Sequence, residues 1–427
     1  MFSQNGLSLD QAPPISVVFR FFFSGALFGI LAGILILLFK TTIFNAHSLE
    51  AITLTHTLTL GVMLSFMFAA LFQMLPVIAG VTLQSPIQKA NFVQYPFILG
   101  VITLLFAFNL STPLLFGVAS VLLGGSILYI TVIMLKNLSM LPNHSASSKG
   151  IFVTLISLFV VIILALYLTG TLAGVFSGTY YTEVKEAHYS FGLFGWIALL
   201  IVSISFQVIE MFYVTPSYPK LINHYLAVSL LTLLVITTIT GFFNSTIWIF
   251  SNILLALLLS GYALLTLKRL TQRKRPLTDA TVWFWRMGLS SLILSMTLMA
   301  VSQVKEIAIL QTLSYIFFTS FALSIVFAMF YKIVPFLTWF HLNSQGYFTA
   351  PMMHEVIHPK TAKKHLYIHL ATIVTFILST IIPQMILLAG LLTILSFGWM
   401  SYQIIHAHLL YKKTQETGEK FDMGSMS

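Results

Sequence analysis

The chain is 427 residues long, 58% hydrophobic and only 7% charged, with a net charge of +10 and no cysteine. No water-soluble globular domain carries that balance, and the absence of thiols excludes disulfides, iron–sulfur clusters and thiolate metal sites. The positive charge is accounted for by anionic lipid headgroups and calls for no nucleic-acid partner.

Apolar runs of ~20 residues, each long enough to cross a hydrocarbon core of ~30 Å, recur along the whole chain. Backbone polar groups in lipid must be satisfied within the segment, so the expected form is helical. The short alternating segments of an outer-membrane barrel are missing. The first run begins near Ile15 and is too long for a cleavable signal peptide, which makes it a membrane anchor. The spans predicted in order are 15–39, 51–80, 91–110, 113–136, 150–177, 184–214, 220–243, 245–267, 281–303, 309–338, 365–385 and 387–411. The fold class is therefore all-α, a polytopic membrane protein of about twelve helices. The basic loop Lys268-Arg269…Arg273-Lys274-Arg275 orients it. With that loop inside, Lys89, Lys136, Lys149, Lys220, Lys360, Lys363, Lys364, Lys412 and Lys413 fall inside too, and only Lys40, Lys185 and Lys305 face outward. This asymmetry places both termini in the cytoplasm. The loop 339–364 is too short to bury a core of its own, and residues 412–427 are expected to form a cytoplasmic tail.

A threefold repeat organises the chain. The second span contains Phe68-Ala69-Ala70-Leu71-Phe72-Gln73-Met74-Leu75-Pro76 and the tenth Phe327-Ala328-Met329-Phe330-Tyr331-Lys332-Ile333-Val334-Pro335, with a weaker echo, Ser205-Phe206-Gln207-Val208-Ile209-Glu210, in the sixth. Phe72 to Phe206 is 134 residues and Phe206 to Tyr331 is 125, four spans each. Such a period predicts three four-helix arcs about a pseudo-threefold axis, with units of about 15–136, 150–267 and 281–411. A common twelve-helix transporter would repeat every six or every three helices instead.

His56 lies inside the second span and His188 near the start of the sixth, in nearly equivalent places of the first two units. Gly61 follows the first; Gly192 and Gly195 follow the second at i+4 and i+7, on one helical face. Small residues one turn from an imidazole leave room for a flat ligand such as a porphyrin. Ionisable groups in a bilayer are functional candidates, and neutral histidine is the usual axial ligand of haem iron. The competing reading is a pair of interfacial histidines bonded to neighbouring helices or water.

These stretches resemble the catalytic subunit of the haem–copper oxidase superfamily, nearest its nitric oxide reductase branch. That family has twelve helices in three arcs, and its second helix carries a haem-ligating His about twenty residues before an aromatic–aliphatic–Pro ending, as His56 stands before Phe72…Pro76 here. Its sixth helix can carry His-x-x-x-Gly, matched by His188-Tyr189-Ser190-Phe191-Gly192, and Asn223-His224-Tyr225 opens the seventh span like one branch of the family. The resemblance implies a bacterial inner membrane, a respiratory-chain protein or quinol as donor, and haem.

Departures from the family narrow the function. Its tenth helix has His-x-His ligating both haems; aligned on Pro335, those positions are Leu313 and Tyr315. Its seventh helix has a His-His pair for copper or a second iron, where this chain reads Thr237-Thr238-Ile239-Thr240. No copper dinuclear site is expected, nor oxygen or nitric oxide reduction by the family mechanism. The expectation is a degenerate member with one haem, of b-type, on His56 and His188. Tyr315, equivalent in position to His56, is a third candidate, because tyrosinate also ligates haem iron.

Seven of the twelve histidines, His341, His354, His358, His365, His369, His406 and His408, fall in the last 87 residues. His354 and His358 would stand one turn apart if helical, as would His365 and His369. With Met352 and Met353 beside them they are metal candidates for a divalent ion or cuprous copper. The alternative is an interfacial loop whose imidazoles meet phosphate and water. No zincin motif is present, since that requires His-Glu-x-x-His. Glu210 and Lys332 are candidates for a proton path, although Lys332 can also snorkel to the interface. Three functional classes remain: a haem-binding protein for electron transfer, sensing or handling of haem or nitric oxide; a transporter of a small molecule or metal; and a cofactor-free accessory or assembly subunit of a respiratory complex.

Overall fold

The computed structural model describes residues 13–243, 245–275, 277–305 and 307–420. It is built from twelve long helices: α1 (Ile15–Phe39), α2 (Leu49–Ala79), α3 (Pro86–Leu110), α4 (Pro113–Ser139), α5 (Ala146–Leu172), α6 (Tyr181–Tyr213), α7 (Lys220–Phe243), α8 (Ser245–Thr271), α9 (Ala280–Ser302), α10 (Ala308–Ser344), α11 (Pro359–Ser379) and α12 (Met385–Thr417). Among the described residues there is no strand, only an isolated bridge between Tyr347 and Lys420. Eleven of these helices are long and apolar enough to cross a membrane. The other is α11, whose first turns carry Lys360, Lys363 and Lys364; at 21 residues it is long enough to cross, and it pairs with α12 across a short connection.

Helix starts follow local chemistry. Ser48, Ser145 and Asp279 accept hydrogen bonds from Ala51, Ser148 and Val282 backbone N–H groups, and proline opens α3, α4 and α11, as the orphan donors of a first turn require. These caps move several predicted boundaries. α11 begins at Pro359, with the His358 ring capping it, so it runs 359–379 rather than 365–385. α10 continues to Ser344 and Met353–Val356 forms a helical turn, so the expected loop 339–364 is largely structured. The expected tail at 412 is still helix as far as Thr417, because Tyr411 and Gln415 bond to Gln345, which caps the end of α10; residues 421–427 lie outside the described residues.

The helices close into a ring in which α12 packs on α1, α4 on α5, and α8 on α9. Within each group of four, the first and third helices also touch: α1 with α3, α5 with α7, α9 with α11. The residues around a central cavity make the same point. Met67, Ile201 and Val326 line it, as do Ala70, Ile204 and Met329, and in both sets the steps along the chain are 134 and 125 residues, the spacing of the sequence motif. α2, α6 and α10 thus present corresponding faces to one central axis.

Close approach between helices rests on small residues, since lipid offers no hydrophobic drive for helix association. Gly25, Gly29 and Gly33 form a stripe on α1: a Cβ at Gly25 would meet Phe66 of α2, and one at Gly33 would lie 2.6 Å from Ile394 Cγ1 and 3.0 Å from the Gly390 carbonyl oxygen of α12. Hydroxyl pairs reinforce the contacts, such as Ser291 with Ser320 at 2.8 Å and Tyr262 donating to Ser205 at 2.8 Å.

Asp279 ties the bundle at the end that carries the basic loop. Its Oδ1 accepts from Val282 N at 3.1 Å and Thr281 Oγ1 at 2.6 Å, while Lys332 of α10 donates to Oδ2 at 2.6 Å. This is the one ion pair among the described residues. Burial raises the Asp279 carboxyl, but the Lys332 charge and the three hydrogen bonds outweigh it and hold the group below the usual carboxylate range. A carboxyl held low contributes stability that is complete above its ordinary value of about 3.9 and is lost as pH falls through the folded-state value. Asp279→Ala is expected to cost about 1–2 kcal/mol, most of it the cap, because a half-exposed ion pair is worth under about 1 kcal/mol. Asp279→Asn should restore the cap and abolish only the acid-sensitive part. Thermal unfolding in detergent at pH 7 and pH 3 checks both; equal losses for Ala and Asn would contradict the capping role.

Candidate functional site

His56 and His188 are each the eighth residue of their helix, α2 and α6, at the end of the bundle opposite the basic loop. Directly after His56 the helix widens into a π-helical stretch, Thr57–Leu64, and α6 widens likewise over Phe191–Ala198. The two stretches are equal in length and stand 134 residues apart, the step of the repeat. α10 runs as uninterrupted α-helix through the corresponding region. π-helical turns concentrate at functional sites because the inserted residue re-aims the side chains around it.

The histidines themselves stand 132 residues apart, two short of strict equivalence. Two residues are about 200° around a helix, and the rings accordingly lean to opposite sides of their helices. His56 lies against Phe108 of α3, with ring centres 5.0 Å apart, whereas His188 reaches the Val161 carbonyl of α5. That turn brings the imidazoles together: their centres are 6.4 Å apart and their planes only 12° from parallel.

Hydrogen bonding fixes the tautomers. His56 Nδ1 lies 2.8 Å from the Ile52 carbonyl oxygen and His188 Nδ1 lies 3.3 Å from that of Val161. A carbonyl oxygen can only accept, so each Nδ1 carries the proton and each Nε2 keeps its lone pair. Among the described residues no hydrogen-bond donor meets either Nε2, and two lone pairs cannot satisfy each other. Donation of one ring N–H to a carbonyl, leaving the other nitrogen basic, is the usual arrangement of a metal-bound histidine. Metal–imidazole bonds of about 2.0–2.1 Å, with about 1 Å more from each nitrogen to its ring centre, put the centres of two trans imidazoles about 6 Å apart. The observed spacing of the ring centres is close to that figure.

The glycines divide. A Cβ at Gly61 would lie 2.6 Å from the Phe28 ring and one at Gly195 2.8 Å from Ser157 Oγ, so these two serve helix packing and leave no slot for a ligand. Gly192, one turn from His188, has nothing within 4 Å of where its Cβ would be. Tyr315 accepts from Gln311 on its own helix at 3.3 Å, and no contact joins it to either imidazole.

The remaining candidates have local partners. His354 is exposed on the turn Met353–Val356, Ile357 is extended, and His358 caps α11 by accepting from Lys360 N at 3.1 Å; those two imidazoles do not stack along one helix. His365 and His369 are buried between α10, α11 and α12. His365 bridges Tyr331 Oη at 2.9 Å and Ser396 Oγ at 2.6 Å, and His369 meets Ser324 Oγ at 3.0 Å, with Phe327 packed on both rings. Among the described residues no group of three or more His, Cys, Asp or Glu converges. Glu210 accepts from Tyr218 N at 3.0 Å and so fastens the connection after α6, and Lys332 is engaged by Asp279.

No protein-family model matches the chain, and no curated protein shows significant similarity to it.

Proposed function

We propose that this membrane protein binds one haem through His56 and His188 and uses it for electron transfer, on a scaffold related to the haem–copper oxidases. The observation that carries the reading is the imidazole pair: near-parallel rings 6.4 Å apart, each with Nδ1 committed to a carbonyl and Nε2 free. His56 and His188 would hold the haem with two strong-field nitrogen ligands, which would make it low-spin and suit it to electron transfer. Without cysteine a c-type thioether attachment is excluded, and b-type is the form this reading takes. The lysine and arginine distribution favours cytoplasmic termini, and the resemblance a bacterial inner membrane; on that reading the site lies near the outer face, within reach of a quinol or a respiratory-chain protein as donor.

Protein purified in detergent from haem-replete cells is expected to show near-stoichiometric haem by pyridine haemochrome, with sharp low-spin bands on reduction. His56→Ala should remove those bands. Colourless wild-type protein would sink this reading and leave transport or assembly.

A further inference from the structure

The cavity on the central axis lies ten residues or more along α2 from His56, about 15 Å away, in the half of the bundle nearer the basic loop, and the imidazole pair makes no use of it. Its middle is walled by Met67, Ala70, Ile204, Val326 and Met329. Phe66, Leu200 and Ile325 form one flanking layer and Met74, Val208 and Ile333 the other, again at steps of 134 and 125 residues. Each of the three repeats therefore gives four corresponding side chains to one chamber. Ala70, Ile204, Val326 and Met329 remain partly accessible, although the residues flanking them on α2, α6 and α10 are mostly buried. Packing is incomplete here on all three helices.

The wall is almost wholly carbon and thioether sulfur; the one nitrogen among its side chains is the buried Nε1 of Trp285, which has no hydrogen-bond partner among the described residues and offers a single donor. Its one hydroxyl, Ser205, donates to the Val202 carbonyl at 2.7 Å and accepts from Tyr262 at 2.8 Å, so it is not free for a ligand. A water needs two to four polar partners, and apolar cavities stay dry. The volume, about 80 Å³, is well below the ~150 Å³ of a cavity that takes benzene. It admits a xenon atom or a molecule of two or three heavy atoms. Three methionines, Met67, Met74 and Met329, can swing to let such a molecule pass, being unbranched and soft.

We propose that the axial chamber is a binding site for a small uncharged apolar molecule of diatomic-gas size, which enters from the bilayer where such molecules concentrate. The proposal is independent of haem. The test uses xenon as the probe, by 129Xe NMR on the full chain in nanodiscs. Wild type is expected to give a saturable shift absent from empty nanodiscs, and His56→Ala should give the same shift. Ala70→Leu, which fills the chamber, should lose it while keeping the helical circular dichroism and elution of the wild type. Met329→Ala, which enlarges the chamber and introduces no clash, should bind xenon at lower pressure and newly admit benzene. An unsaturable wild-type response, a shift that survives in folded Ala70→Leu, or a Met329→Ala response equal to wild type would each overturn the proposal.

Discussion

Gly33→Leu is expected to cost at least about 2–3 kcal/mol and to abolish most monodisperse protein, the upper range for forcing volume into a packed interior. α1 and α12 close the ring between the last repeat and the first, and at Gly33 they meet backbone to backbone. A Cβ there would lie 2.8 Å from Ile394 N and 3.0 Å from Gly390 O, and one at Gly390 would lie 3.2 Å from Gly33 O. Main-chain atoms cannot swing aside as a flexible side chain can, so the helices would have to part along their length. The loss would spread beyond the pair, because α1 also holds α2 through Gly25 against Phe66. Gly117→Leu on α4 is the control: nothing lies within 4 Å of its Cβ position, and leucine is the better helix former. Thermal melts followed by fluorescence size exclusion should separate the two variants by many degrees. Equal melting temperatures would mean that the glycine stripe does not set the α1–α12 contact.

How far the sequence could be read depended on the kind of signal. Long apolar runs specify membrane helices with little interference, and the aromatic–Pro motif located the axis: the two steps that join Phe72, Phe206 and Tyr331 also join the residues around the central chamber. Helix ends were less legible, since Pro359 and the His358 cap start α11 among lysines that hydropathy counts as loop. The π-helical stretches leave no mark in composition or periodicity, yet they flank both imidazoles. Glycine was ambiguous for a physical reason, because the same missing Cβ can leave open space, as beside Gly192, or admit a neighbouring ring, as at Gly61. Histidine was ambiguous in the same way. His365 and His369 occupy a helix spacing that a metal would accept, but hydroxyls on α10 and α12 reach them first. Those hydroxyls come from residues 31 to 45 positions away in the chain, a separation that no local motif encodes.

His188→Met is expected to raise the midpoint potential of the proposed haem by on the order of 0.1 V while leaving the haem bound, since a thioether is a weaker donor than imidazole and His/Met ligation lies at higher potential. The direction follows from the hydrogen bond as well as from the ligand. In the wild type the His188 N–H donates to the Val161 carbonyl, which increases the basicity of Nε2 and favours the ferric state; methionine has no such N–H. His188→Ala should behave differently, losing the low-spin bands and acquiring sensitivity to carbon monoxide as one axial position opens. His56→Met should mirror His188→Met, because the two rings are nearly parallel and each is held by one carbonyl. Spectroelectrochemical titration of the purified variants measures all of this. A His188→Met protein that keeps its haem with the wild-type potential and spectrum would show that His188 is not an axial ligand, and the 6.4 Å pairing of the rings would then need another occupant.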